Sequence, residues 1–141
     1  MARQLVSGQD KLTAKFRALP RHARREMLRA AVRAAEELRR QQAALAPVDT
    51  GALRDSITVT LPGDWTPPYS APGGDQRVPD YAVMVTVGSA HVRYAHLVEY
   101  GTTRTGAQPF FWPAYRLNRK RMKSRISRAG AKAARELARR P

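Results

Sequence analysis

The stretch Ala46-Pro47-Val48-Asp49-Thr50-Gly51-Ala52-Leu53-Arg54-Asp55-Ser56-Ile57-Thr58-Val59-Thr60-Leu61 carries the change of period that decides the fold. Before it, Leu28, Ala31, Ala35, Leu38 and Leu45 fall on one stripe of a helix running from Pro20 to about Leu45, with arginines mostly off the stripe. Glu36 and Arg40 stand at i, i+4, the order that favours an ion pair. Within the stretch, Asp49 or Thr50 can cap a short turn at Gly51 to Asp55. Beyond it Ile57, Val59 and Leu61 alternate with Thr58 and Thr60, the pattern of a half-buried strand. The fold therefore passes from helix to sheet within about ten residues.

Working outward to the N-terminus, Leu12, Phe16 and Leu19 mark an earlier helix that Ser7 or Gly8 can open and Pro20 breaks. Toward the C-terminus, residues 62–80 hold five prolines and three glycines and read as a long loop. Within it Trp65, Tyr69 and Val78 are too apolar for a plain linker. Ala82 to Val87 reads as a second strand that Gly88 ends, and Tyr94 to Tyr100 as one helical turn that Gly101 stops. Thr102 to Gln108 forms a loop and Pro109 to Trp112 a short extended segment. Pro113 then opens a last helix at its first position, with Met122, Ile126, Ala129, Ala133 and Leu137 as the apolar stripe. Gly130 inside that helix marks a bend or a close approach. The expectation is a single α+β domain over residues 1–141: a helical segment 1–45, a small antiparallel sheet with loops over 46–112, and a basic helix over 113–141.

Length and composition narrow the function. The 141 residues suit one domain, and alanine is the commonest apolar residue while aromatics are few, so the core should be thin and completed by neighbouring subunits. No cysteine is present, which excludes disulfides and thiol chemistry. His22, His91 and His96 lack the spacing of a zinc site, and no cofactor or metal is expected. No apolar run is long enough for a membrane span, and the opening Met1-Ala2-Arg3 carries no signal-peptide pattern. The net charge is +15, with eleven basic and four acidic residues before Ala46 and eleven basic and one acidic after Trp112. The section between them is mildly acidic. No G-x-S-x-G, phosphate-binding glycine loop or H-E-x-x-H is present, so no enzyme is expected. Asp49 and Asp55 could be imagined as paired carboxylates, but a cap and a surface charge is the simpler assignment. The same holds for His96 with Glu99 at i, i+3, which reads as a solvated or interfacial polar pair.

Three segments are specific: Ala46 to Ile57; Tyr94-Ala95-His96-Leu97-Val98-Glu99-Tyr100-Gly101-Thr102; and Pro109-Phe110-Phe111-Trp112-Pro113-Ala114. Together they resemble the gene-product-ten-like family of siphophage neck and tail-completion proteins, also found in prophages and gene transfer agents. The resemblance spans about Leu28 to Ile126. It matches a Pro-x-Asp-Thr-Gly-x-Leu-x-x-Ser-Ile turn at Pro47, Asp49, Thr50, Gly51, Leu53, Ser56 and Ile57. It matches Tyr-Ala-x-x-x-Glu-aromatic-Gly-Thr at Tyr94, Ala95, Glu99, Tyr100 and Gly101, and Pro-Phe-x-x-Pro-Ala at Pro109, Phe110 and Pro113. The 62–80 loop is longer than the hairpin associated with that family.

The resemblance implies architectural roles for these residues and no catalytic one. It implies a virion protein in a ring at the head–tail joint, made in the host cytoplasm. Its partners would be copies of itself, the portal-connector and tail proteins, with packaged DNA as a further possible contact and no small-molecule substrate. Candidate interface residues are Trp65, Tyr69, Arg119, Lys120 and Lys123. The competing class is a non-specific nucleic-acid binder using the two basic helices, although no helix-turn-helix, zinc finger or stacking platform is visible.

Overall fold

The computed structural model describes residues 2–139, with side chains from Asp10 onward. Met1, Arg140 and Pro141 of the expected domain lie outside the described residues. The elements are α1 (Ala2–Ala18), α2 (Arg21–Leu45), α3 (Ala52–Asp55), β1 (Thr58–Thr60), β2 (Met84–Thr86), α4 (Ala95–Tyr100) and α5 (Phe111–Ala138). This is an α+β fold of long helices with a two-stranded antiparallel sheet.

Helix α1 starts at Ala2 and not at the expected Ser7 or Gly8. Ala2, Arg3, Gln4 and Leu5 are all good helix formers, so the helix runs through the candidate caps. Pro20 breaks it as anticipated. Its extended backbone (ψ 144°) separates the two helices, and its carbonyl accepts the Arg24 N–H at 3.0 Å.

Helices α2 and α5 form the largest interface between elements and run antiparallel. His22 Nε2 meets Glu136 Oε2 at 2.9 Å at one end, and Gln42 Nε2 donates to the Phe111 carbonyl at 3.1 Å at the other. Between them Glu37 receives Arg125 at 2.8 Å and Arg121 at 3.1 Å. The seam is built from small side chains, with Ala23, Ala30, Ala34, Ala35 and Leu38 buried on α2 and Ala114, Asn118 and Ala133 on α5. Gly130 is a close approach: a Cβ there would stand 2.8 Å from Met27 Sδ. The expected stripe needs one correction. Leu45 is half exposed, and Gln42 takes the buried position three residues earlier because its amide reaches the start of α5. Glu36 likewise pairs with Arg39 at 2.9 Å, not with Arg40.

The strands are shorter than their sequence pattern. β1 and β2 pair as Thr58↔Thr86, Val59↔Val85 and Thr60↔Met84. Ile57 and Val87 are buried at the strand ends, whereas Leu61 is exposed. Thr60 and Thr86 are buried as well, so the sheet is covered on both faces and not on one.

Residues 62–80 are a hairpin and not an open excursion. Trp65 bridges Arg77, the Thr66 N–H donates to the Gln76 carbonyl at 2.9 Å, and the Val78 N–H to the Asp64 carbonyl at 2.8 Å. The tip then turns back, and Ala71 exchanges two hydrogen bonds with Val87 (2.8 and 2.9 Å), lengthening the sheet beside β2. Val78 is fully buried, while Trp65 and Tyr69 face solvent at 66% and 59% exposure. Prolines thin the ladder to isolated bridges, and side-chain bonds such as Tyr69 N–H to Asp75 Oδ1 (2.9 Å) replace the missing rungs.

Candidate functional site

The three sequence segments converge on one core. Ala46, Leu53, Ile57, Val87, Val92, Ala95, Phe110 and Phe111 form a single buried cluster. The first segment enters it through α3. Thr50 Oγ1 accepts the Ala52 N–H at 3.3 Å, while exposed Asp49 makes no hydrogen bond among the described residues, so Thr50 supplies the cap contact. Gly51 carries φ +86° just before α3, and Pro47 is half-buried at the approach. Ser56 is buried and ties the turn to the sheet. Its hydroxyl donates to the Leu53 carbonyl at 2.6 Å and accepts the Gly88 N–H at 3.2 Å.

The second segment contributes the central polar group. Glu99 is only 7% exposed, and its carboxylate accepts three consecutive backbone N–H groups: Phe110 at 2.8 Å, Phe111 at 3.0 Å and Trp112 at 3.1 Å. Those donors are the unpaired N–H groups at the start of the 28-residue α5. A negative charge there also meets the positive end of the helix dipole. Glu99 is therefore a buried clasp on the last helix, not the solvated partner of His96 that the spacing suggests. The signal was available in part, since Glu99 lies at i+4 from buried Ala95 and so faces inward on α4.

Glu99 also sets where α5 begins. Phe111 and Trp112 are helical and not extended, and Pro113 is the third helical residue and not the first. Its missing N–H still costs nothing there, because the first-turn donors have no intrahelical partner. Pro109 is exposed at the approach, and Phe110 is fully buried.

Gly101 makes the return possible. Its φ of +77° with ψ 175° lies in a region essentially restricted to glycine, and a Cβ would stand 2.7 Å from the Ala107 nitrogen. The 102–108 loop closes on itself through Thr102 N–H to the Thr105 carbonyl (2.8 Å) and on α4 through Gln108 N–H to the Val98 carbonyl (2.8 Å). Tyr94 and Tyr100 are 42% and 69% exposed. Tyr100 spends its hydroxyl on the Trp112 indole N–H at 2.9 Å, leaving one face of its ring to solvent. With Leu97 they form an exposed apolar stripe on α4.

An apolar groove of about 570 Å³ lies between α2, β2 and α5, lined by Met27, Leu38, Val85, Trp112, Tyr115 and Met122 among others. Among the described residues no carboxylate, imidazole or amine lines it. Among the described residues no group of His, Cys, Asp or Glu is arranged to hold a metal. Arg119, Lys120 and Lys123 are exposed on α5 and carry no ion pair among the described residues, in contrast to Arg121 and Arg125. The site thus contains a clasp, an apolar groove and exposed surfaces.

The family model described as "Bacteriophage HK97-gp10, putative tail-component" matches residues 10–101. The chain belongs to this HK97-gp10-like family of tail components. Comparison with curated proteins and with solved structures gives no match. The matched span includes the first segment and the second as far as Gly101, Glu99 among them; the N–H groups that Glu99 holds lie beyond it.

Proposed function

We propose that the chain is one single-domain subunit of a ring at the head–tail joint of a tailed phage or gene transfer agent, joining the portal-connector to the tail. It acts by burying surface and performs no chemistry. The observation that carries this reading is the placement of large apolar side chains in a tail-component family member. Trp65, Tyr69, Tyr94, Leu97, Tyr100 and Leu117 are all more than two-fifths exposed on hydrogen-bonded elements. Such side chains are favoured anchors in protein interfaces. Partners are then copies of the chain, connector and tail proteins. No helix among the described residues is long and apolar enough to cross a membrane. The protein is made in the host cytoplasm and resides in the virion. The residues of the three segments act structurally in this reading, and Trp65, Tyr69, Arg119, Lys120 and Lys123 act at interfaces.

A second reading draws on the basic face of α5, where Arg119, Lys120 and Lys123 are free to meet phosphates. Reversing these three charges separates the two. In the neck reading the change blocks joining of heads to tails, and DNA affinity is weak and non-specific in both forms. Tight, salt-sensitive DNA binding by the wild type, lost in a variant that still joins heads to tails, would assign the face to nucleic acid.

A further inference from the structure

Five arginines of α2 (Arg21, Arg24, Arg25, Arg29 and Arg33) line a shallow depression of about 920 Å³. Its floor is apolar and comes from three parts of the chain: Phe16 of α1, Leu28 and Val32 of α2, and Leu61 with Pro62 after β1. Arg29 pairs with Glu26 at 3.3 Å, but Arg21, Arg24, Arg25 and Arg33 have no ion pair among the described residues. An apolar floor inside a cationic rim fits an apolar anchor flanked by carboxylates. It fits a phosphate backbone poorly, because a nucleic-acid track needs no greasy centre.

The chain presents such an anchor itself. Trp65 is 66% exposed on the paired 62–80 hairpin, next to exposed Asp64. That hairpin holds three aspartates against one arginine, an acidic knob on a chain of net charge +15. The two surfaces adjoin, since Leu61 lines both the arginine cradle and the groove that contains Asp64, Trp65 and Asp75. Because they adjoin, a two-fold axis near Leu61 satisfies both contacts at once, the self-complementary arrangement of an isologous pair.

We infer that the arginine cradle on α2 receives the Trp65 hairpin of a second copy, giving a dimer of the free protein. This goes beyond the neck reading and does not rest on it: the two-fold dimer is a property of the free chain, and Trp65 must leave that contact to meet a ring neighbour, because ring contacts are heterologous. The charges of Arg21 and Arg25 then face Asp64 of the partner subunit, and the indole replaces water over Leu28, Val32 and Leu61.

Sedimentation velocity on the full chain across a concentration series reads this directly. The wild type is expected to pass from monomer to dimer, and Trp65→Ala to weaken dimerisation at least about tenfold, as loss of a central aromatic anchor does. The decisive arm is a charge swap. The double variant Arg21→Glu with Arg25→Glu, and separately Asp64→Arg, should each be monomeric alone. Mixed, they should form a heterodimer, since both of its contacts again pair opposite charges. Circular dichroism on each variant checks that the fold persists, which the exposure of all four side chains favours. A wild type that stays monomeric at its highest soluble concentration would overturn the inference, as would dimerisation unchanged in Trp65→Ala. So would a mixture that fails to associate although both variants are folded. A monomeric wild type that binds a random DNA duplex through Arg21 and Arg25 would give the cradle to nucleic acid instead.

Discussion

The clasp around Glu99 and the hairpin at 62–80 use the same residue types to opposite ends. Both are rich in glycine, proline and aromatic side chains, and both are closed by backbone hydrogen bonds. In the clasp Phe110 and Phe111 are buried and a carboxylate is fully engaged by three N–H groups. In the hairpin the large aromatics point outward, and burial falls on small residues: Thr66, Ser70 and Val78. Tyr69 even adopts φ +61°, unusual for a bulky residue, with its ring held against the Arg93 guanidinium at 3.7 Å. The difference separates residues that hold the fold from residues available to a partner. A substitution in the clasp should act on stability, and one in the hairpin on assembly.

The largest expected effect is at the clasp. Glu99→Ala leaves three donors without a partner in a buried site and removes a charge from a helix start, so it should cost about 3 kcal/mol or more. Urea unfolding should show this as a lower midpoint at unchanged slope. A loss below about 1 kcal/mol would break the comparison by making the clasp dispensable. Gly101→Ala should cost about 2 kcal/mol, from the forbidden backbone region and the contact with Ala107. Thr50→Ala should lose close to 1 kcal/mol, whereas Asp49→Ala should be near neutral. Equal effects at the two positions would mean that Asp49 also caps the turn.

At the hairpin the expected change in the stability of the monomer is the smallest of all. At concentrations below dimerisation Trp65→Ala should leave thermal unfolding almost untouched while reducing incorporation into particles. Hydrogen exchange sharpens the same point. The amides of Thr66, Ala71 and Val78 are bonded within the chain and should be protected in the free protein. Fast exchange there would return the segment to an open loop.

Much of this architecture was legible from period and punctuation. The helices α2 and α5 follow from their 3.6-residue stripes, the break at Pro20 from its missing donor, and the strands from alternation around Val59 and Val85. The α+β class follows from that change of period, and the resemblance of the three segments to a known family points to the family whose model matches residues 10–101. What escaped were contacts between residues distant in sequence. Glu99 meets the start of α5 eleven to thirteen residues on, and that contact, not a local rule, moves the helix start to Phe111 and places Pro113 third. Gln42 replaces Leu45 in the core because its amide reaches Phe111, 69 residues away. The hairpin is ordered by bonds such as Ala71 with Val87, which no local propensity reports.

The central claim is that this tail-component family member works as a ring subunit at the head–tail joint. Imaging of intact particles, with the chain located by fitting its long α2–α5 pair to the density, tests it most directly. The account predicts a closed ring of this chain between connector and tail, with Trp65 covered by a neighbour. Finding the chain only in another part of the tail, or as a lone copy at the joint, would contradict it.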